Sequence, residues 1–239
     1  MYIAHYAFTP PENEDAKIWR YMDFTKFVSL LDKGALFFAR ADRLGDPFEG
    51  SYTKATLISS EIREKASDFR WFIEALVKNT TINSWHLNEN ESAAMWKLYL
   101  VSNEGIAIQS TFNRLKNSIL GEQEVRIGKV RYIDYENDVI SDENLFNPFL
   151  YKRKSFEHEL ELRAIVSIFP NKTATILDII KPTIENGIYI PVDLETLIET
   201  IWLAPTCPTW LKELVTSVTK KYGLNKDIFP SKLNAKPIF

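Results

Sequence analysis

Three clusters of this 239-residue chain hold side chains whose types and spacing could do chemistry. The most acidic is Glu157-His158-Glu159-Leu160-Glu161-Leu162-Arg163. As a strand, it would project Glu157, Glu159, Glu161 and Arg163 from one face at intervals of roughly 6.5–7 Å. Three carboxylates on one face repel unless cations or a ligand answer them, and Lys152, Arg153, Lys154 and Arg163 are close enough in sequence to pair with them. As a helix, the segment holds an ordinary Glu159–Arg163 pair four residues apart. A solvated, salt-bridged face is the plain alternative to a site.

The second cluster runs from Trp85-His86 through Glu91-Ser92 to Met95-Trp96 and Tyr99. On a helix Ser92, Met95, Trp96 and Tyr99 share a face, which sets a hydroxyl, a thioether and two rings side by side for stacking on a flat ligand. Met95 and Trp96 as plain core, and His86 as a structural strand-end histidine, are the competing readings. The third cluster joins Trp19-Arg20-Tyr21 to the loop from Arg40 to Gly50. There Pro47 fixes a turn while Gly45 and Gly50 admit backbone angles that other residues resist, so the loop is shaped to hold Asp46 and Glu49. Asp46 can equally serve to cap backbone amides. Asp46, Glu49, Glu159 and Glu161 could together bind Mg²⁺ through oxygen, but no compact acidic ligand motif recurs, and no metal site is assigned.

The elements that must position these groups alternate irregularly. Lys17 to Met22 reads as a strand, Asp23 as the N-cap of a helix carrying Phe24, Phe27, Val28 and Leu31, and Gly34 as its C′ residue. Ala35 to Arg40 is a second strand. A 3.6-residue apolar stripe from Thr53 to Lys78, including Ile62, Phe69 and Leu76, predicts the longest helix. Ile82 to His86 reads as a strand, and Asn88 with Glu91 as a capping box before the Met95–Tyr99 helix. Gly105 to Gln109 and Val125 to Tyr132 read as strands around a helix from Phe112 to Ile119. Asp134 to Pro148 is polar and irregular, the best candidate for a mobile connection. Further strands follow at Ala164–Val166, Gly187–Pro191 and Ile201–Ala204, with a helix at Trp210 to Tyr222. No Gly-, Ser- or Pro-rich linker divides the chain, so residues 1–239 read as one α+β domain: a mixed, mostly antiparallel sheet with flanking helices.

Composition narrows the function classes. A net charge of −3 with a pI near 5.8 argues against a broad nucleic-acid-binding surface. Cys207 alone allows neither an internal disulfide nor a cysteine zinc cage. No apolar run reaches the length of a membrane span and the start carries no secretion signal, so a cytoplasmic location is expected.

The wording of these clusters resembles a widespread bacterial family known only as a domain of unknown function. The matching residues are Arg20-Tyr21, Asp46-Pro47-Phe48-Glu49-Gly50, Glu91-Ser92 with Met95-Trp96 and Tyr99, Gly105-Ile106-Ala107-Ile108, Val130-Arg131-Tyr132, Lys154, and Glu159-x-Glu161-x-Arg163. The likeness continues through Leu197-Ile198, Ala204-Pro205 and Lys221-Tyr222-Gly223 to Ser231-x-Leu233, and departs at Phe156 and at Trp85-His86. More distantly, the order of Arg20, the Arg40 region and Glu161 is similar to the ADP-ribosyltransferase class, which uses an Arg or His on the first core strand and a Glu late in the fold. That resemblance implies NAD as substrate, and the likeness to the bacterial family implies a phage-defence or toxin setting. The more distant resemblance also implies Glu161, Glu159 and Arg20 as catalytic residues, with Tyr21, Arg40, Asp46, Glu49, His86, Trp96, Tyr99, Lys154 and Arg163 binding the nucleotide. The competing expectation is a non-catalytic module that binds a nucleotide or a protein, with aromatic rings stacking and Arg20, Lys154 and Arg163 meeting phosphate.

Overall fold

The computed structural model describes the backbone of residues 1–59, 66–100, 103–168 and 184–238, and their side chains except at 59 and 66–70. In chain order the elements are β1 (Lys17–Asp23), α1 (Phe24–Lys33), β2 (Ala35–Arg40), α2 (Lys54–Ser59), α3 (Ala66–Lys78), β3 (Thr80–Leu87), α4 (Ala93–Tyr99), β4 (Gly105–Thr111), α5 (Phe112–Ser118) and β5 (Arg126–Lys129). They continue with β6 (Arg131–Ile133), β7 (Tyr151–Arg153), β8 (Glu161–Ser167), β9 (Gly187–Pro191), α6 (Leu194–Leu197), β10 (Thr200–Leu203), α7 (Thr209–Lys221) and β11 (Ile228–Pro230). The main sheet runs β11-β10-β4-β1-β3-β2-β9, with β8 on the other edge of β3 and β5 beyond it. Every pairing in it is antiparallel except β10 with β11, so the chain is a mixed, mostly antiparallel α+β fold.

One irregularity of this sheet matters for function. Strand β1 pairs with β3 only at Ile18↔Leu87 and Trp19↔His86, while β2 pairs with β3 at Ala39↔Ile82 and Arg40↔Thr81. Both strands therefore lie on the same edge of β3, at opposite ends of it, and the sheet forks at Asn83, Ser84 and Trp85. Two side chains reach into the fork where ladder bonds would be: Asn83 Nδ2 donates to Phe37 O at 2.8 Å and Arg20 Nη1 donates to Ser84 O at 2.6 Å. Helix α1, the connection between β1 and β2, is tightly delimited. Asp23 accepts from the Lys26 N–H at 2.8 Å, and Gly34 ends the helix with a φ of 55° that suits glycine.

The two faces of the sheet are packed differently. One carries the main core, in which Phe27, Leu30 and Leu31 of α1 meet Ile18, Trp85, Ile108 and Leu162. The other carries two separate clusters, Trp19, Tyr21, Met95 and Trp96 under α4, and Ile82, Ile165, Leu76 and Phe149 under α3. Each cluster covers one arm of the fork.

Several expected boundaries shift. The segment expected as one helix from Thr53 to Lys78 is helical over Lys54–Ser59 and Ala66–Lys78, with residues 60–65, Ile62 among them, and the Phe69 side chain outside the described residues. Asn88 does not cap α4; Ser92 does, its hydroxyl accepting from the Met95 N–H at 3.3 Å. Val125 to Tyr132 breaks into β5 and β6 at Val130: its N–H still follows the β8 register to the Glu161 carbonyl at 2.9 Å, whereas the Arg131 N–H turns to the Leu150 carbonyl at 2.8 Å. The irregular stretch from Asp134 is anchored by buried Tyr135, Ile140 and Asn147. Glu157 and Glu159 are not on a strand: Lys154–Glu159 is a 3₁₀ turn, Leu160 takes a φ of 41°, and β8 begins only at Glu161.

Candidate functional site

A cleft of about 480 Å³ lies over the fork. Arg20, Tyr21 and Met22 are consecutive on β1 and all reach its wall, although alternate strand residues point to opposite faces. The fork is what gives the cleft access to both. Ser84, His86, Met95, Tyr99, Glu159 and Glu161 line it toward β8 and α4, and Lys26, Ser29, Phe37, Arg43 and Tyr189 line it toward α1, β2 and β9.

Glu161 is the most constrained of these groups. Its carboxylate accepts from Arg163 Nε at 2.7 Å and Nη2 at 3.0 Å, and from Lys152 Nζ at 3.4 Å, and it is 5% exposed. Burial alone would favour the neutral acid, but the Arg163 and Lys152 charges and the Ser84 hydroxyl outweigh it and hold the carboxyl down at about 2. Its backbone is fixed as well, with the N–H donating to the Tyr132 hydroxyl at 2.8 Å. The result is an anion that cannot turn or protonate near neutral pH.

Arg163 sits behind that anion. Besides the two bonds to Glu161 it donates to both Glu49 oxygens, at 2.6 and 2.8 Å, and to Phe149 O at 2.8 Å. All five guanidinium N–H groups are thereby used, none is left for a phosphate, and the residue is fully buried. Burial opposes its charge, yet Glu161 and Glu49 hold it protonated well above the ordinary arginine range. Among the described residues Glu49 has only this one cation in direct contact, and burial prevails there and pushes its carboxyl up. Gly50 makes the approach feasible: a Cβ there would lie 2.5 Å from the Phe149 ring.

At the cleft's edge Lys152 Nζ bonds Glu159 and reaches Glu161, and these carboxylates outweigh burial to raise its ammonium. His86 is not a free base. Its Nδ1 is 2.6 Å from the Glu159 carbonyl, which can only accept, so Nδ1 carries the proton, and Nε2 accepts from Asn88 Nδ2 at 3.3 Å. Burial lowers its pKa further. Arg20 has one N–H engaged among the described residues, on Ser84 O, and burial pulls its guanidinium down to about 10, still charged at neutral pH. Burial raises the Tyr99 phenol, with Glu159 and Glu161 adding to the effect. The Tyr21 hydroxyl accepts from the Ser92 N–H at 2.8 Å, which ties β1 to the start of α4.

Of the residues expected to bind, Arg20, Tyr21, His86, Tyr99, Glu159 and Glu161 line the cleft. Glu49 and Arg163 stand behind Glu161, and Asp46 pairs with Arg153 at 2.8 Å while capping the Phe48 N–H. Arg40 is spent on Asp42 and on Ile184 O, and Lys154 is exposed on its 3₁₀ turn. The Trp96 ring does not share the Tyr99 side: it is 2% exposed, packed edge-on to Tyr21, with Nε1 donating to Glu91 at 2.9 Å. Ser84, Phe37, Tyr189 and Arg43 went unnoticed in the sequence. For Phe37 a signal existed, since in Ala35–Arg40 it holds the outward position of the alternation between two buried neighbours, Leu36 and Phe38.

No protein-family model matches the chain, and no curated protein does. Among the solved structures that align with it are two of one protein. The first is Thermus sp. 2.9 DarT in complex with NAD+, at 10% identity and a TM-score of 0.41, covering 95% of this chain and 100% of that chain. The second is Thermus sp. 2.9 DarT in complex with carba-NAD+, at 8% identity and a TM-score of 0.40, covering 92% of this chain and 97% of that chain.

Proposed function

We propose that the cleft binds NAD and that the protein is an ADP-ribosyltransferase-like enzyme. The observation that carries this reading is that Glu161, a buried carboxylate held ionised at about 2, lines the same cleft as Arg20, a partly engaged cation. A module that recognises only phosphate gains nothing from an immobile anion beside its ligand, because the anion repels phosphate. A reaction that builds positive charge does have a use for it.

When the bond between ribose C1′ and the pyridinium nitrogen breaks, its electron pair leaves with the nitrogen and neutral nicotinamide departs. The ribose is left with oxocarbenium character, which Glu161 stabilises. A hydroxyl or amine of the acceptor, or water, then bonds to C1′ and gives up a proton, which Glu159 at the cleft's edge is placed to take. Arg20 meets the pyrophosphate, and Tyr99 bounds the ring pocket. Arg163, Lys152 and Glu49 position Glu161 without touching the ligand. Metal-assisted hydrolysis has less support, since Asp46 and Glu49 are each committed to an arginine.

The test is to titrate the purified protein with NAD by calorimetry and to follow nicotinamide release and label transfer in a cell extract. Saturable binding with nicotinamide release supports the proposal, and neither under any extract condition sinks it. A toxin or phage-defence setting belongs to the same proposal, and growth arrest on expression that Glu161→Gln relieves would support it.

A further inference from the structure

The end of the cleft away from Glu161 carries a feature that the proposed chemistry does not use. Phe37 on β2 and Tyr189 on β9 are direct cross-strand partners, 38% and 47% exposed, with ring centroids 5.1 Å apart. Exposed rings on a sheet are ordinary singly, but this pair is built in. A Cβ at Gly187 would lie 2.6 Å from the Phe37 ring, so that ring rests on bare backbone, and the Tyr189 hydroxyl is 3.3 Å from Ser29 Oγ of α1. Arg43 lines the same cavity, is exposed, and meets no carboxylate among the described residues.

The pair shares a face with Glu161. Glu161 stands opposite His86, Ile82 opposite Ala39, and Phe37 opposite Tyr189, and residues two apart on a strand share a side. Between β8 and β9 lie three inter-strand steps, roughly 14 Å across the sheet. We propose that Phe37 and Tyr189 form a stacking shelf for a nucleobase, with Arg43 meeting its 5′-phosphate. A ligand whose reacting ribose lies at Glu161 would place its second nucleoside on this shelf. The cleft is then polarised, with fixed acids at one end and rings with a cation at the other. This rests on reading the cleft as an NAD site.

The probes are AMP, adenosine, nicotinamide mononucleotide and NAD, each titrated by calorimetry into the full chain. The Phe37→Ala/Tyr189→Ala double variant should lose at least about tenfold in affinity for AMP and NAD, given the usual worth of base–aromatic stacking, and change less than about twofold for nicotinamide mononucleotide. Arg43→Gln should weaken AMP but not adenosine, which keeps the idea testable if the double variant folds poorly. AMP affinity within twofold of wild type in the folded double variant, or equal losses for AMP and nicotinamide mononucleotide, would overturn the shelf. Wild type that binds AMP on the shelf but neither NAD nor nicotinamide mononucleotide would keep the shelf and remove the NAD reading. Wild type that binds nicotinamide mononucleotide but not AMP would do the reverse.

Discussion

Glu161 and Arg163 answer each other across an interior that would otherwise exclude both. The carboxyl of Glu161 is lowered from 4.5 to about 2, so it adds stability that is fully present above pH 4.5 and is lost as pH falls toward 2. That difference amounts to something on the order of 3 kcal/mol. Glu49 acts with the opposite sign, because its raised carboxyl costs stability while ionised and the cost fades as acid protonates it. Wild type and Glu161→Gln should therefore differ most in melting temperature above pH 5 and converge by about pH 2. A gap that stays constant over that range would show that Glu161 is not held ionised. Arg163→Lys replaces five fixed donors by three on a flexible stem, leaves buried carboxylate oxygens unanswered, and should cost about 3–5 kcal/mol in urea unfolding. A loss under about 1 kcal/mol would mean that the cluster is wetter than its burial implies.

At the scale of elements, the turn before β8 and helix α4 decide what the cleft contains. Leu160 is 45% exposed and sits in the left-handed region, which costs a residue with a Cβ about 1–2 kcal/mol. Leu160→Gly relieves that strain at an entropic cost of about 0.5–1 kcal/mol, so stability should hold or rise slightly, whereas β-branched Leu160→Val should lose more than about 1 kcal/mol. Chemical denaturation of the two variants checks the pair, and equal losses would contradict the strain. Trp96→Ala should cost about 3–5 kcal/mol, since the ring is buried and its N–H is bonded to Glu91, and an unchanged melting temperature would show that the ring is not core.

Elements were legible in the sequence where local chemistry sufficed. Asp23, Gly34 and the alternation in Ala35–Arg40 and Gly187–Pro191 fix their boundaries by capping and period. Leu160 gave no such signal, because a leucine with positive φ is imposed by its surroundings: its carbonyl holds the Leu87 N–H at 2.9 Å while the Glu159 carbonyl holds His86. The same applies to the site. Arg20 and Glu161 each stood out in the sequence by the cluster around it, but that Arg163 and Glu49 support Glu161 could not be read there, because pairing between Glu49 and Arg163 spans 114 positions.

Across the whole molecule, the fork in the sheet is what turns these clusters into a cleft. Had β1 and β2 paired continuously along β3, Arg20 would meet strand backbone, and the cover under α4 would merge with that under α3. The large core on the opposite face leaves this face free to stay divided. No described helix is long and apolar enough to cross a membrane. In the proposed reaction Glu161 serves the transition state and not the bound ligand. The most direct measurement pairs NAD affinity with nicotinamide release in wild type and Glu161→Gln, at a temperature well below the melting point of both. Affinity within about threefold and turnover lower by about 10²–10³ is the predicted result. Equal turnover in the variant would contradict it.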